Sequence, residues 1–211
     1  MKSFRALILL TAFCIDQLHG YSSPASAAVV VVGGGVGGAE KGISVSLSQS
    51  DFNNGAYIIN TPGVYTFQED IVFRPTGTLD PLEPETWMFP DRTTAPYDES
   101  PFRLGHFAGI VVQTNGVTID LNGKTFSQSQ EHALIQRFFS LIELASSPFK
   151  PNVGPAAFAA GAPDFIPAAN VVIENGKLGR SSHHAIHGNN NNGVTLRNLD
   201  ISAFEVTKQQ E

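Results

Sequence analysis

Between Arg180 and Asn192 the chain gathers Arg180, His183, His184, His187 and the run Asn189 to Asn192, its densest group of polar side chains. An imidazole titrates near neutrality, so one of these histidines could act as general acid or base. Arg180 would then clamp a carboxylate through its planar fork, with Asp200 or Glu174 as the acidic partner. A metal reading would use His183 and His187. That spacing of four places two ligands on one face only in a helix, and Gly188 followed by four asparagines reads as a turn. We therefore expect no metal site. The remaining reading makes the same side chains corner and ladder groups of one bend, bonded to backbone where the chain turns. We favour it, because a catalytic constellation needs groups that one short stretch rarely supplies. If the stretch is a strand, alternation sends His183 and Ala185 to one side and His184 and Ile186 to the other. His106, Glu131 and His132 stand alone and read as structural or surface positions.

The elements that would position this group are announced by a recurring phrase. Asn115-Gly116-Val117-Thr118-Ile119-Asp120-Leu121-Asn122-Gly123 is echoed by Asn170-Val171-Val172-Ile173-Glu174-Asn175-Gly176 and by Asn192-Gly193-Val194-Thr195-Leu196-Arg197-Asn198-Leu199. Each is an Asn-led turn, an alternating β-branched strand and another Asn corner. Val117 to Val171 is a step of 54 residues and Val171 to Val194 a step of 23, so 54 reads as about two turns of a coil plus an insertion. Side chains two apart share a face. Val117, Ile119, Val171, Ile173, Val194 and Leu196 then form an inward set, and Asp120, Glu174 and Arg197 point outward. Asn175 and Asn198 should stack at the corner, and Glu174 should meet Arg197.

Strand patterning extends through the rest of the chain. Ile43–Ser48, Ala56–Asn60, Val64–Phe67, Asp70–Phe73, Phe107–Val112 and Phe139–Ala145 alternate or run apolar between turn signals at Asn53-Asn54-Gly55 and Thr61-Pro62-Gly63. Gln130–Arg137 breaks the alternation and suits a helical turn or two. Two stretches, 74–104 and 146–169, carry so many prolines that they must be excursions; Trp87, Met88 and Phe89 suggest that the first docks on something. Phe138, Phe139, Phe149, Phe158 and Phe165 cluster around the second and should pack it onto the strands.

The first 27 residues have a basic start (Lys2, Arg5), an apolar run from Ala6 to Ile15 and a small-residue site at Ala25-Ser26-Ala27. That is the layout of a secretory signal peptide cleaved after Ala27 or Gly20, too short to span a bilayer, and no other membrane span is expected. The single cysteine, Cys14, lies inside it, so the remainder would rely on packing and backbone hydrogen bonds rather than disulfides. Residues 28–42 are a Gly-rich, flexible segment. Gly33, Gly35 and Gly38 satisfy G-x-G-x-x-G, but Ile43–Ser48 alternates as a strand where a dinucleotide site needs a helix, so no nucleotide cofactor is expected. With 15% charged residues, 20 glycines, 13 prolines and a net charge of −6, the chain is neither a helical bundle nor a nucleic-acid binder.

Taken together, Asn115–Phe126, Arg180–Asn190 with its continuation to Phe204, and Pro62–Ile71 give the chain a form that resembles the right-handed parallel β-helix proteins of the pectin lyase-like superfamily, over roughly residues 57 to 206. The resemblance implies an all-β, incomplete solenoid over 43–211 with Pro-rich loop insertions. N-terminal strands and cap would occupy 43–73, and coils 105–211. It also implies the N-terminal part of a longer protein, secreted or at the cell surface, that faces an extracellular polysaccharide. If the chain is an enzyme, the resemblance points to a polysaccharide lyase or glycoside hydrolase. The paired-aspartate, Gly-His-Gly and Arg-x-Lys signatures of polygalacturonases and the three-aspartate calcium cluster of pectate lyases are not recognisable. A structural or adhesive β-helix, or an inactive truncated fragment, is the alternative.

Overall fold

The computed structural model describes residues 30–31, 42–53, 55–74, 107–135, 139–153 and 165–203. The leader 1–27, most of 28–42, the excursion 75–104 with Trp87, and 154–164 with Phe158 lie outside the described residues, as do His106, Arg137, Phe138 and Phe204. What is described is mostly β, with parallel sheets curled into a half-barrel. The strands, in chain order, are β1 (Val30–Val31), β2 (Ile43–Leu47), β3 (Tyr57–Ile59), β4 (Gly63–Phe67), β5 (Ile71–Phe73), β6 (Phe107–Val112), β7 (Val117–Asp120), β8 (Thr125–Gln128), β9 (Phe139–Glu143), β10 (Ala169–Leu178), β11 (His184–His187) and β12 (Asn192–Ile201). Among the described residues one α-helix, α1, spans Gln130–Ile135, and a 3₁₀ turn at Gln49–Phe52 lies between β2 and the turn expected at Asn53-Asn54-Gly55.

The strands form two sheets. In the first, β2, β4, β7, β10 and β12 lie side by side and all parallel, with β5 pairing β8 and β8 pairing the far end of β10. In the second, β3, β6, β9 and β11 are parallel in that order. From β4 onward the chain alternates between the sheets, and each return adds a strand beside the previous one. β1 closes against β12 in antiparallel sense, Val30 opposite Leu196 and Val31 opposite Thr195. Two residues of the segment expected to be flexible are therefore paired as strand.

Register follows the repeated phrase. Val117, Val171 and Val194 face one another across β7, β10 and β12, as do Ile119, Ile173 and Leu196; β4 continues the files with Gly63 and Tyr65. The valines and isoleucines of these files are buried. Gly63 is needed where β4 meets β2: a Cβ there would collide with the backbone oxygen of Ile43. Phe52, Phe67 and Phe126 fill the interior behind the sheet, with ring centroids 5.3 to 6.3 Å apart.

Corners are made by asparagine. Asn122, Asn175 and Asn198 all adopt left-handed φ, between 51° and 59°, which Asn tolerates better than other side-chain-bearing residues. Asn198 Nδ2 donates to Asn175 Oδ1 at 3.1 Å, and Asn175 Nδ2 donates to Asp120 Oδ1 at 3.1 Å. Asn122 Nδ2 reaches the carbonyl of Phe67 at 3.1 Å. The stacked amides thus satisfy one another and the turn backbone. The described ends of the second excursion are tied together: Ala145 bridges Pro167, and Ser146 N–H donates to Ile166 O at 3.0 Å.

Candidate functional site

β11 places His184 and His187 on the second sheet, beside Ser140 and Glu143 of β9. His183 stands in the bend just before β11. The three imidazoles form a row, with ring centroids 3.8 Å apart for His183 and His184 and 4.9 Å for His184 and His187. Ala185 between them is buried.

Glu143 was not singled out in the sequence, and it is the carboxylate that the histidines meet. Its side chain is fully buried, and His187 Nδ1 lies 2.8 Å from Oε2 and 3.0 Å from Oε1. Ser140 Oγ donates to Oε2 at 3.3 Å. Burial raises the Glu143 pKa, an effect only partly offset by His187 and Ser140. For His187 burial opposes the imidazolium, but the hydrogen bond to Glu143 and the charge of Glu143 outweigh it, so its pKa is raised. Both directions describe one proton held tightly between two groups. His184 behaves oppositely: burial, with the like charges of His183 and His187, lowers its pKa to about 4. At neutral pH its ring is uncharged.

The other expected partners are elsewhere. Asp200 pairs with Lys177 at 3.2 Å on the exposed side of the first sheet. Glu174 pairs with Arg197 at equivalent positions of β10 and β12; although it faces outward in register, it is covered to 9% exposure. Arg180 turns its Nη1 to the carbonyl of Gln128 at 3.5 Å. Asn189 Nδ2 donates to Pro148 O at 2.9 Å, and Asn191 Nδ2 donates to both Leu144 O and Ala168 O, at 2.6 and 2.9 Å. These amides hold the corner between β9, the excursion and β12. Gly188 admits Asn191 to that corner, because a Cβ would strike its side chain.

A second buried polar group lies next to this one. His132, read as an isolated position, is 3% exposed in α1 and packs against Phe73 and Phe139, with centroids 5.7 and 5.5 Å away. Glu131 beside it pairs with Arg74 at 3.3 Å. Neither Glu143 nor His132 has a local signal: Glu143 is a polar residue in an apolar run, His132 follows a polar run that reads as surface, and the burial of each depends on which elements become neighbours. Among the described residues, no group of three His, Cys, Asp or Glu is placed to hold a metal ion, and no helix is long and apolar enough to cross a membrane. No known family matches the chain, and no curated protein or solved structure matches it.

Proposed function

We propose that the chain is a secreted, right-handed parallel β-helix of the pectin lyase-like kind whose flank faces an extracellular polysaccharide. The observation that carries this reading is the file of Gly63, Val117, Val171 and Val194 across four successive parallel strands, each separated from the next by a visit to the second sheet. A chain that returns one strand further each time is winding, and wound strands build a flat flank as long as the stack, which suits a linear polymer. The leader-like 1–27 fits export.

The test is to express the chain with its own leader in a secreting host and sequence the N-terminus of the product. The secreted protein is then incubated with insoluble cellulose, xylan and pectate. We expect release into the medium, processing at Ala27 or Gly20 and retention on at least one polymer. An unprocessed intracellular product sinks the secretion reading, and a protein left in the supernatant with every polymer sinks the polysaccharide reading.

A structural or adhesive role without turnover is favoured by one observation: Arg180, Asn189 and Asn191 direct their side-chain donors at backbone carbonyls. Retention on a polymer without any change in it would select that role.

A further inference from the structure

Glu143 and His187 are 44 residues apart in the chain and opposite one another across β9 and β11. With both oxygens of an ionised Glu143 against Nδ1, a neutral ring carries its hydrogen there, which leaves Nε2 as a lone pair. The His187 side chain keeps 26% exposure, and Nε2 makes no hydrogen bond among the described residues. His184, with its ring centroid 4.9 Å away, is uncharged down to about pH 4 and so has an N–H to offer beside that lone pair. A base backed by a buried carboxylate and flanked by a neutral imidazole donor is a proton-transfer site.

We propose that His187, His184 and Glu143 form a hydrolytic site for O-acyl esters carried by a polysaccharide. This rests on the polysaccharide-facing reading above. The class follows from what the site holds. Glycosidic cleavage by acid and base calls for two carboxylates flanking the bond, about 5 to 10 Å apart, whereas Glu143 sits buried behind an imidazole. Elimination beside a uronate needs a cation for its carboxylate, and Arg180 is turned to Gln128. Ester hydrolysis needs one base, one donor for the oxyanion and a proton returned to the leaving oxygen.

In the first step Nε2 of His187 takes a proton from water as the water oxygen bonds to the acyl carbon. The carbonyl π pair moves onto its oxygen, which accepts the N–H of His184. Collapse re-forms the carbonyl and breaks the bond to the sugar oxygen, which receives the proton back from Nε2. Water and ester become carboxylic acid and free sugar hydroxyl, and the imidazole is restored. Glu143 is the positioning residue: it sets the tautomer and balances the transient imidazolium.

The test uses the full secreted chain with p-nitrophenyl acetate and with O-acetylated xylan, acetate being followed by proton NMR. Wild type should release acetate from both, with a rate that climbs with pH and a midpoint above that of free imidazole. His187→Ala should lose about 100-fold or more, and His184→Ala about 10- to 100-fold with its midpoint unmoved. Glu143→Gln should lower both rate and midpoint; His187→Ala, a partly exposed site checked by circular dichroism, carries the decision if that buried variant does not fold. Acetate release that is absent, or undiminished in folded His187→Ala, overturns the proposal. Xylan bound but not deacetylated overturns the site and leaves the polysaccharide reading standing; p-nitrophenyl acetate hydrolysed by a chain that ignores xylan overturns the substrate assignment, and the polysaccharide reading falls with it only when cellulose and pectate are ignored as well.

Discussion

The side-chain amide of Gln128 donates to Nδ1 of His132 across 2.8 Å, and the direction of that bond is set by a third group. Ser182 N–H donates to Gln128 Oε1 at 2.7 Å, so the amide nitrogen must face the imidazole and Nδ1 must be an unprotonated acceptor. Burial lowers the His132 pKa to about 4, in agreement with that polarity.

Acid should therefore destabilise the fold in a defined window. The folded pKa of His132 is depressed, so its contribution is present above the unfolded value near 6.5 and is lost as pH falls toward 4. His184 acts in the same direction over the same range. For His132 alone the loss is on the order of 3 kcal/mol. Urea midpoints at pH 7 and pH 4.5 should converge in His132→Phe, whose ring keeps the contacts to Phe73 and Phe139. Equal acid losses in wild type and variant would remove His132 as the cause.

Asn175 combines a left-handed φ of 59° with two ladder hydrogen bonds. Asn175→Gly keeps the conformation and loses only the amide, so it should cost about 1 kcal/mol. Asn175→Ala adds the left-handed penalty and should cost about 1 to 2 kcal/mol more. Chemical denaturation of the two variants gives the order; an alanine variant no worse than the glycine one contradicts it.

The Glu174 and Arg197 pair spans β10 and β12, with Arg197 53% exposed. Exposure limits its worth, and Arg197→Ala should shift stability only slightly. Added salt should change wild type and variant nearly alike. A loss well beyond that in a melt would mean that uncovering Glu174 dominates.

Gly176 and Gly123 separate packing from backbone strain. A Cβ at Gly176 would meet Leu121 Cβ at 2.5 Å and Lys124 O at 2.6 Å, neither free to retreat. Gly176→Ala should lose roughly 2 to 3 kcal/mol or misfold. Gly123 has open space around it and a φ of +74°, so Gly123→Ala should cost only about 1 kcal/mol. Thermal melts should rank them in that order.

Much of the first sheet was legible in the chain because its rules are local. Alternation in Val117-Thr118-Ile119-Asp120 assigns faces, and an Asn able to take left-handed φ marks the corner after it. Repetition of both in Val171–Asn175 and Val194–Asn198 was enough to place Val117, Val171 and Val194 in one file. The histidine row was legible as a group, but its partners were not. Asp200 and Glu174 were the nearest carboxylates in the sequence, yet β12 and β10 carry them to Lys177 and Arg197.

The sequence by itself determined most strands of the first sheet, their inward faces, the asparagine corners and the pairing of Glu174 with Arg197, but neither β1, in a segment expected to be flexible, nor β8. These depend on side-chain period and on one residue's backbone preference. Only the tertiary structure decided that Glu143 lies under His187, that His132 is buried beside Gln128, and that β10 is long enough to pair with both β7 and β8. Those meetings depend on how much chain each excursion consumes before the next strand returns, and burial in an apolar interior is a property of the neighbours so created rather than of the residue itself.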